Sequence, residues 1–239
     1  VFLLARRLLE GPGSGTLAVL VGVLAATGPT AYSSLGTTMG DTTVSIPLLA
    51  SLLVVLGGRR TPEERAGAPA WLGAGFLAGA SMGLKLTMGP HVVALGALVV
   101  LMVLRRQARV GAGLAFLAGT VLGFVALGGA WCWRLWERFG NPLFPFVNQV
   151  FRSPYLPAEA IRDMRWVARG PLDLLATPWA MALGETSRLQ EIPFRDARFL
   201  LVLVAAIGWL SLRWLGRRKG LPPGQRNLLA FVLMAYASW

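Results

Sequence analysis

Three ionisable side chains occupy positions where an apolar chain has little use for them: Asp41, Lys85 and His91. Asp41 ends the polar stretch SSLGTTMGD and opens an apolar run, while GLKLTMGPH carries one of the two lysines and the only histidine. A carboxylate facing an outer cavity can bind a hydroxyl, a sugar or a divalent cation. A lysine and an imidazole on either side of Pro90 can converge on one anion, and a lipid phosphate is the obvious one. Each residue also has a plainer role. An acid in the first turn of a helix stabilises it by about 0.5 to 2 kcal/mol. A lysine near the end of a span can lay its stem along the apolar surface and reach the interface. The Gly, Ser, Thr and Met around Lys85 suit a protein-lined cavity better than lipid, and ionisable groups within membrane segments are functional candidates by default.

Other chemistries lack their residues. Cys132 is the only cysteine, which excludes an intrachain disulfide and a cysteine-rich metal site. Between Trp131 and Trp133 it reads as a small apolar residue. One histidine excludes a multi-histidine metal centre, and no GxSxG, HExxH, phosphate-binding glycine loop or nucleotide fingerprint is present. No cofactor is expected, with a divalent cation at Asp41 as the one option. Nucleic acid is not an expected partner either, because the arginines form no basic face with interleaved aromatics.

The elements that must position these residues follow from composition. The chain has 239 residues, 55% of them hydrophobic and 14% charged, with net charge +12 and mean hydropathy +0.59. That balance belongs to an integral membrane protein. Apolar stretches able to cross a hydrocarbon core of roughly 30 Å are expected at 16–35, 42–57, 70–89, 90–104, 110–131 and 198–215. The chain begins within one further apolar run (VFLLARRLL) and ends within another (NLLAFVLMAYASW), so an internal stretch of a longer protein, inactive by itself, is expected. Alternating segments of about ten residues, as a barrel requires, are absent. The fold class is therefore all-α, a polytopic bundle. GAGFLAGASMG and GAGLAFLAGTVLG are small enough for close helix packing, although GxxxG spacing in such segments says little more.

Sidedness comes from alternate connections. Arg6 and Arg7, then Arg59, Arg60 and Arg65, then Arg105, Arg106 and Arg109, then Arg213, Arg217, Arg218, Lys219 and Arg226 fall on one side. The other short connections have no arginine, so the first side is cytoplasmic. Asp41, Lys85 and His91 then lie at outer helix ends. The chain divides into a membrane region at 1–133 (a partial first span and five complete spans), an external amphipathic loop at 134–197, and a second membrane region at 198–239 with one complete span and a truncated one. The loop carries many arginines, but long loops translocate regardless of charge. Trp131, Trp133 and Trp136 form an interfacial belt, Pro142, Pro145, Pro154 and Pro157 fix the chain path, and AEAIRDMRWVARGPLDLLATPWAMAL reads as short helices lying on the membrane.

This order of features resembles the GT-C class of integral-membrane glycosyltransferases, in particular a bacterial branch of it. The likeness consists of a short outer loop ending in an acid (GTTMGD), a later outer helix end with a cation (GLKLTMGPH), then a span leading into a long amphipathic outer loop (WERFGNPLFPFVNQVFRSPY). It spans nearly the whole chain on motifs of modest specificity. The resemblance implies transfer of a sugar from a polyprenyl phosphate to an acceptor hydroxyl at the outer face of a bacterial cytoplasmic membrane. It implies that Asp41 is a secondary acid, with the principal base in an outer loop upstream of these residues. It further implies that Lys85, His91, Asn141, Arg152 and Tyr155 bind substrate, with Lys85, His91 and Arg152 toward the phosphate. The expected partners are the polyprenyl-phosphate-linked sugar and membrane lipids. A polytopic transporter is the alternative, with Asp41 and Lys85 as coupling groups; against it, these groups lie at outer ends and no internal repeat is evident. A non-catalytic membrane subunit is the other.

Overall fold

The computed structural model describes residues 1–9, 11–28, 40–57, 67–159, 170–184, 195–216 and 220–237. Their regular structure is entirely helical: α1 (Phe2–Leu8), α2 (Ser14–Ala26), α3 (Asp41–Gly57), α4 (Ala68–Leu84), a 3-10 turn (Leu86–Met88), α5 (Gly89–Leu104), α6 (Val110–Phe139), α7 (Asn148–Phe151), α8 (Pro171–Leu183), α9 (Arg198–Trp214) and α10 (Pro223–Ala237). The helix starts are written in the sequence. Proline stands in the first turn of α4, α5 and α8, where a missing amide costs nothing. Gly140, left-handed at φ 65°, ends α6 and gives its amide to Trp136.

Two of these elements, Leu86–Leu104 and Val110–Phe139, are long and apolar enough to cross a membrane. Ser14–Ala26, Asp41–Gly57 and Arg198–Gly208 are apolar but shorter. The expected arginines at 59, 60, 65, 217 and 218, Lys219, most of the GTTMGD loop and the surface segment at 160–169 lie outside the described residues.

Close packing of α4 against α6 organises the bundle. A methyl group on Gly75 or Gly79 would strike the α6 backbone at Phe116 and Thr120, and one on Gly119 or Gly123 would strike the α4 backbone at Leu72 and Phe76. Gly83 and Gly128 meet in the same way further along. Residue numbers rise together on both helices, so α4 and α6 run parallel, with α5 returning between their ends. Small residues four apart permit this approach, which replaces side-chain interdigitation by backbone-to-backbone dispersion contact.

Helix α3 runs antiparallel to α4 and is held by buried hydroxyls. Ser81 donates to the Val44 carbonyl at 2.7 Å, and Ser51 donates to the Ala74 carbonyl at 2.6 Å. Both serines are fully buried. Seven residues separate the two α3 positions and seven the two α4 positions, so the register is continuous over two turns. Leu48, Leu52, Val55, Trp71, Ala78, Leu95 and Leu98 fill the common core.

The other end of the bundle is tied by polar side chains. Arg7 donates to the Gly57 carbonyl at the end of α3 at 2.6 Å, Gln225 to the Leu8 carbonyl at 2.9 Å, and Asn227 to the Gln107 side chain at 2.9 Å. The ends of α1, α3 and α5 and the start of α10 therefore meet where Arg6, Arg7, Arg105, Arg106, Arg109 and Arg226 lie.

Two helix limits differ from the sequence reading. The 70–89 stretch does not stay helical to Gly89: α4 stops at Leu84, and Lys85 takes an extended conformation (φ −152°). The helix ends six residues before Pro90, which instead opens α5. The 110–131 stretch extends further than expected, to Phe139, because Arg134, Glu137 and Arg138 are good helix formers and nothing breaks the chain before Gly140. Residues 134–139 of the expected external loop are therefore the last turns of α6.

Candidate functional site

The polar residues at the end of the bundle opposite Arg6, Arg7, Arg105, Arg106, Arg109 and Arg226 sort into two levels. At the lower level, the Asp41 carboxylate and the Lys85 ammonium form an ion pair that closes the α3–α4 register at its last step. Asp41 lies in the first turn of α3, and Lys85 caps the last turn of α4, its amide bonded to the Ser81 carbonyl at 3.2 Å. Each charge thus complements the dipole of its own helix. The pair is open to one side, with the lysine side chain 29% and the aspartate side chain 42% exposed. The extended Lys85 backbone and the following 3-10 turn, closed by Met88 N–H on the Lys85 carbonyl at 2.9 Å, carry the chain to His91 in the first turn of α5. The His91 Nδ1 atom is buried and has no hydrogen-bond partner among the described residues.

The upper level is the loop after α6. Gly83 touches Gly128, and Phe139 lies eleven residues beyond Gly128. At 1.5 Å per residue, Phe139 stands about 16 Å further along the axis than the Lys85 end of α4. Tyr155 rests edge-on against Phe139 with ring centroids 5.4 Å apart, and Phe144 stacks on Phe139 at 4.2 Å. Asn141, Arg152 and Tyr155 therefore belong to this second level. Of the expected phosphate set, Lys85 and His91 are six residues apart and joined by the 3-10 turn, and Arg152 belongs with the loop.

Two buried asparagines build that loop. Asn141 donates to the Phe146 carbonyl at 2.9 Å and accepts from Leu143 N–H at 2.9 Å. Asn148 donates to the carbonyls of Leu156 and Pro157 at 2.9 and 3.1 Å, and accepts from Ser153 N–H at 2.9 Å. Both side chains are fully buried, and the partners described for Asn141 all lie within the loop. This network holds Val147 (φ 56°) and Arg152 (φ 51°) in the left-handed region on either side of α7, a conformation that costs non-glycine residues of order 1–3 kcal/mol each. Arg152 and Tyr155 are exposed on the resulting platform. Asn148 was not singled out in the sequence; the repeated asparagine in the proline-rich NPLFPFVN is the signal that could have found it.

A third cluster was also missed. Asp196, with a side chain only 1% exposed, accepts three bonds from Arg198: from its amide at 3.0 Å, from Nε at 2.8 Å and from Nη2 at 2.5 Å. Arg198 Nη1 donates in turn to the Leu24 carbonyl at the end of α2 at 2.8 Å, and the Asp196 amide donates to the Met181 carbonyl in α8 at 2.8 Å. A side chain on Gly28 would collide with the guanidinium. The hydrogen bonds from Arg198 hold the Asp196 carboxyl below the usual carboxylate range, against the opposing effect of burial. An aspartate just before an apolar run is a helix-start signal, and DARFLL carries it.

Among the described residues no group of three or more His, Cys, Asp and Glu side chains is arranged to hold a metal ion. Compared with known proteins, the chain matches no protein-family model, no curated protein and no solved structure.

Proposed function

We propose that the chain is a multi-pass protein of a bacterial cytoplasmic membrane that takes part in moving a sugar from a polyprenyl-phosphate donor to an acceptor hydroxyl at the outer face. The observation that carries this reading is the partly open Asp41–Lys85 pair, at the bundle end opposite the arginine-bearing ends of α1, α3, α5 and α10. By the positive-inside rule that arginine-bearing end is cytoplasmic, which makes the pair external. An ammonium held there offers the positive charge that a departing phosphate needs, with a secondary acid beside it. The bond between the sugar and its phosphate oxygen breaks, the phosphate leaves with the negative charge, and the acceptor oxygen bonds to the sugar carbon as its proton passes to a carboxylate base. Lys85, with His91 beside it, would stabilise the departing phosphate, and Asp41 would orient a hydroxyl or hold a divalent cation. The residues 140–157 would form an outer wall, with Arg152, Tyr155 and Asn141 toward the donor.

A second reading has its own observation. Because Asp41 and Lys85 each complement a helix dipole, the pair is also what a non-catalytic subunit would use to fasten α3 to α4. The double variant Asp41→Asn with Lys85→Gln, which keeps a capping side chain on α3 and removes both charges, separates the two in the full-length protein. A fastening role, worth only about 0.2 to 1 kcal/mol for an open pair, survives it with activity intact, whereas donor use would be lost on it.

A further inference from the structure

Helix α8 (Pro171–Leu183) is amphipathic the wrong way round for a helix in water. At 3.6 residues per turn, Leu172, Leu175, Trp179 and Leu183 fall within a sector of about 80°. All four are between 50% and 82% exposed. Asp173, Thr177 and Met181 lie on the other side of the helix and are half-buried. A helix of a soluble protein turns its apolar stripe to the core and its polar side outward. The reverse order in α8 marks a face made for apolar surroundings.

The helix is gripped from its inner side. The Met181 carbonyl accepts the Asp196 amide at 2.8 Å, and Gly184, left-handed at φ 89°, ends α8 where the Arg195 side chain passes close to it. Asp196 is fixed in turn by Arg198 in the first turn of α9, and Arg198 Nη1 reaches the Leu24 carbonyl of α2. The roll of α8 about its axis is therefore tied to the ends of two other helices.

Those ends stand toward the outer side. Arg6 donates to Ser14 Oγ at 3.0 Å, so α2 starts at the arginine-bearing end of the bundle, and Leu24 lies ten residues, about 15 Å, further on. The same ends of α2 and α9 expose Val23, Leu24, Phe199 and Val202, so the surroundings of the lock are apolar as well. Trp179 in the middle of the α8 face suits the boundary between lipid chains and headgroups. A protein partner fits the face less well, because a stable interface takes about 20 residues or more a side and α8 presents four large ones.

We infer that the Leu172, Leu175, Trp179 and Leu183 face of α8 is inserted in the outer leaflet of the bilayer, and that the Asp196–Arg198 lock, gripping the helix from its other side, sets the roll that keeps it there. Sequence pattern put this segment on the membrane but named neither the lock nor the side of the helix that the protein holds. The inference rests on the membrane reading above and not on sugar transfer.

Spin labels on single cysteines test it in a cysteine-free background of the full-length protein, reconstituted in vesicles of phosphatidylethanolamine and phosphatidylglycerol. Labels at Leu175 and Leu183 are expected to collide with oxygen, which concentrates in lipid, several-fold more than with a water-soluble nickel chelate. A label at Thr177 should meet little of either, and the readings at 175 and 183 stand whether or not Thr177 tolerates it. Dominance of the chelate at 175 and 183 would place the face in water and overturn the insertion. Low collision with both reagents there would mean that protein covers the face, a second copy or another segment, and would overturn it equally. Asp196→Asn should reduce the contrast between 175 and 177 at least twofold; an unchanged contrast would remove the lock from the placement. Leu117, exposed on α6, serves as the reference for the membrane reading. Oxygen access at 117 with chelate access at 175 would sink this inference alone, whereas chelate access at both would sink the membrane reading beneath it.

Discussion

At the scale of residues, Lys85 carries the sharpest expectation. Its ammonium has Asp41 as partner, so removing it has two separable consequences. An open ion pair contributes only about 0.2 to 1 kcal/mol, so Lys85→Ala should leave the melting of the detergent-solubilised protein nearly unchanged. Transfer from a lipid-linked donor should nonetheless fall at least a hundredfold, and transfer at the wild-type rate would remove Lys85 from the chemistry. The double variant Asp41→Asn with Lys85→Gln is expected to fold and to be inactive. Asp196 supports a prediction about pH. Its folded pKa is lowered by Arg198, so its contribution is present in full above the unfolded value of about 3.9 and is lost as the pH falls through the lower folded value. Asp196→Asn should flatten the acid limb of a stability-against-pH curve below about pH 4, where the wild type should fall steeply. The sequence revealed Asp41, Lys85 and His91 because charge in an apolar run is conspicuous. It hid Asp196, Arg198 and Asn148, because polar residues in a long polar connection look ordinary until burial distinguishes them.

At the scale of elements, the glycines of α4 form a graded experiment. Gly79 faces the α6 backbone and cannot accept a side chain without moving a helix, whereas Gly73, on the same helix, has open space around its would-be Cβ. Gly79→Leu should cost about 3 kcal/mol or more and broaden or abolish the unfolding transition in detergent, while Gly73→Leu should be nearly silent. Equal tolerance of both would mean that α4 and α6 do not pack through their backbones. Asn148 plays the corresponding part in the loop. Asn148→Ala would strip its acceptor from the buried Ser153 amide, a loss worth about 1–3 kcal/mol, and its donor from the part-buried Leu156 and Pro157 carbonyls. Trypsin should then cut at Arg152 much faster than in the wild type, with the rest of the fold intact. Helix positions were legible from apolar run length, and the capacity of α4 and α6 for close packing from their Gly and Ala content, though not that they pack on each other. That the two run parallel was not legible, since glycine spacing gives no direction. The end of α4 was misjudged because Pro90 drew attention from the real stop at Lys85, where the chain turns extended.

At the scale of the whole molecule, the direction of each helix and the position of its charges must agree. Helix α3 runs opposite to α4, α4 runs with α6, and α5 returns between them, so 41, 84 and the far end of α6 share one side, while 57, 104 and 110 share the other. The arginines of the short connections, at 6, 7, 105, 106, 109 and 226, fall on that second side, while Arg134, Arg138 and Arg152 lie toward the far end of α6 and in the loop after it; it is the short connections that the positive-inside rule counts. The two lines of argument are independent, because packing direction owes nothing to charge. They make one prediction about the intact membrane. In a Cys132→Ser background, single cysteines at Gln107 and at Val150 should react from opposite faces of sealed inside-out and right-side-out vesicles with a reagent that cannot cross the bilayer. Val150 is exposed on the α7 platform, so a folded loop does not protect it. Labelling of both positions from one face would mean that α6 does not cross the bilayer. The outer site and the tryptophan belt would then lose their common premise together, whatever the chemistry of Lys85.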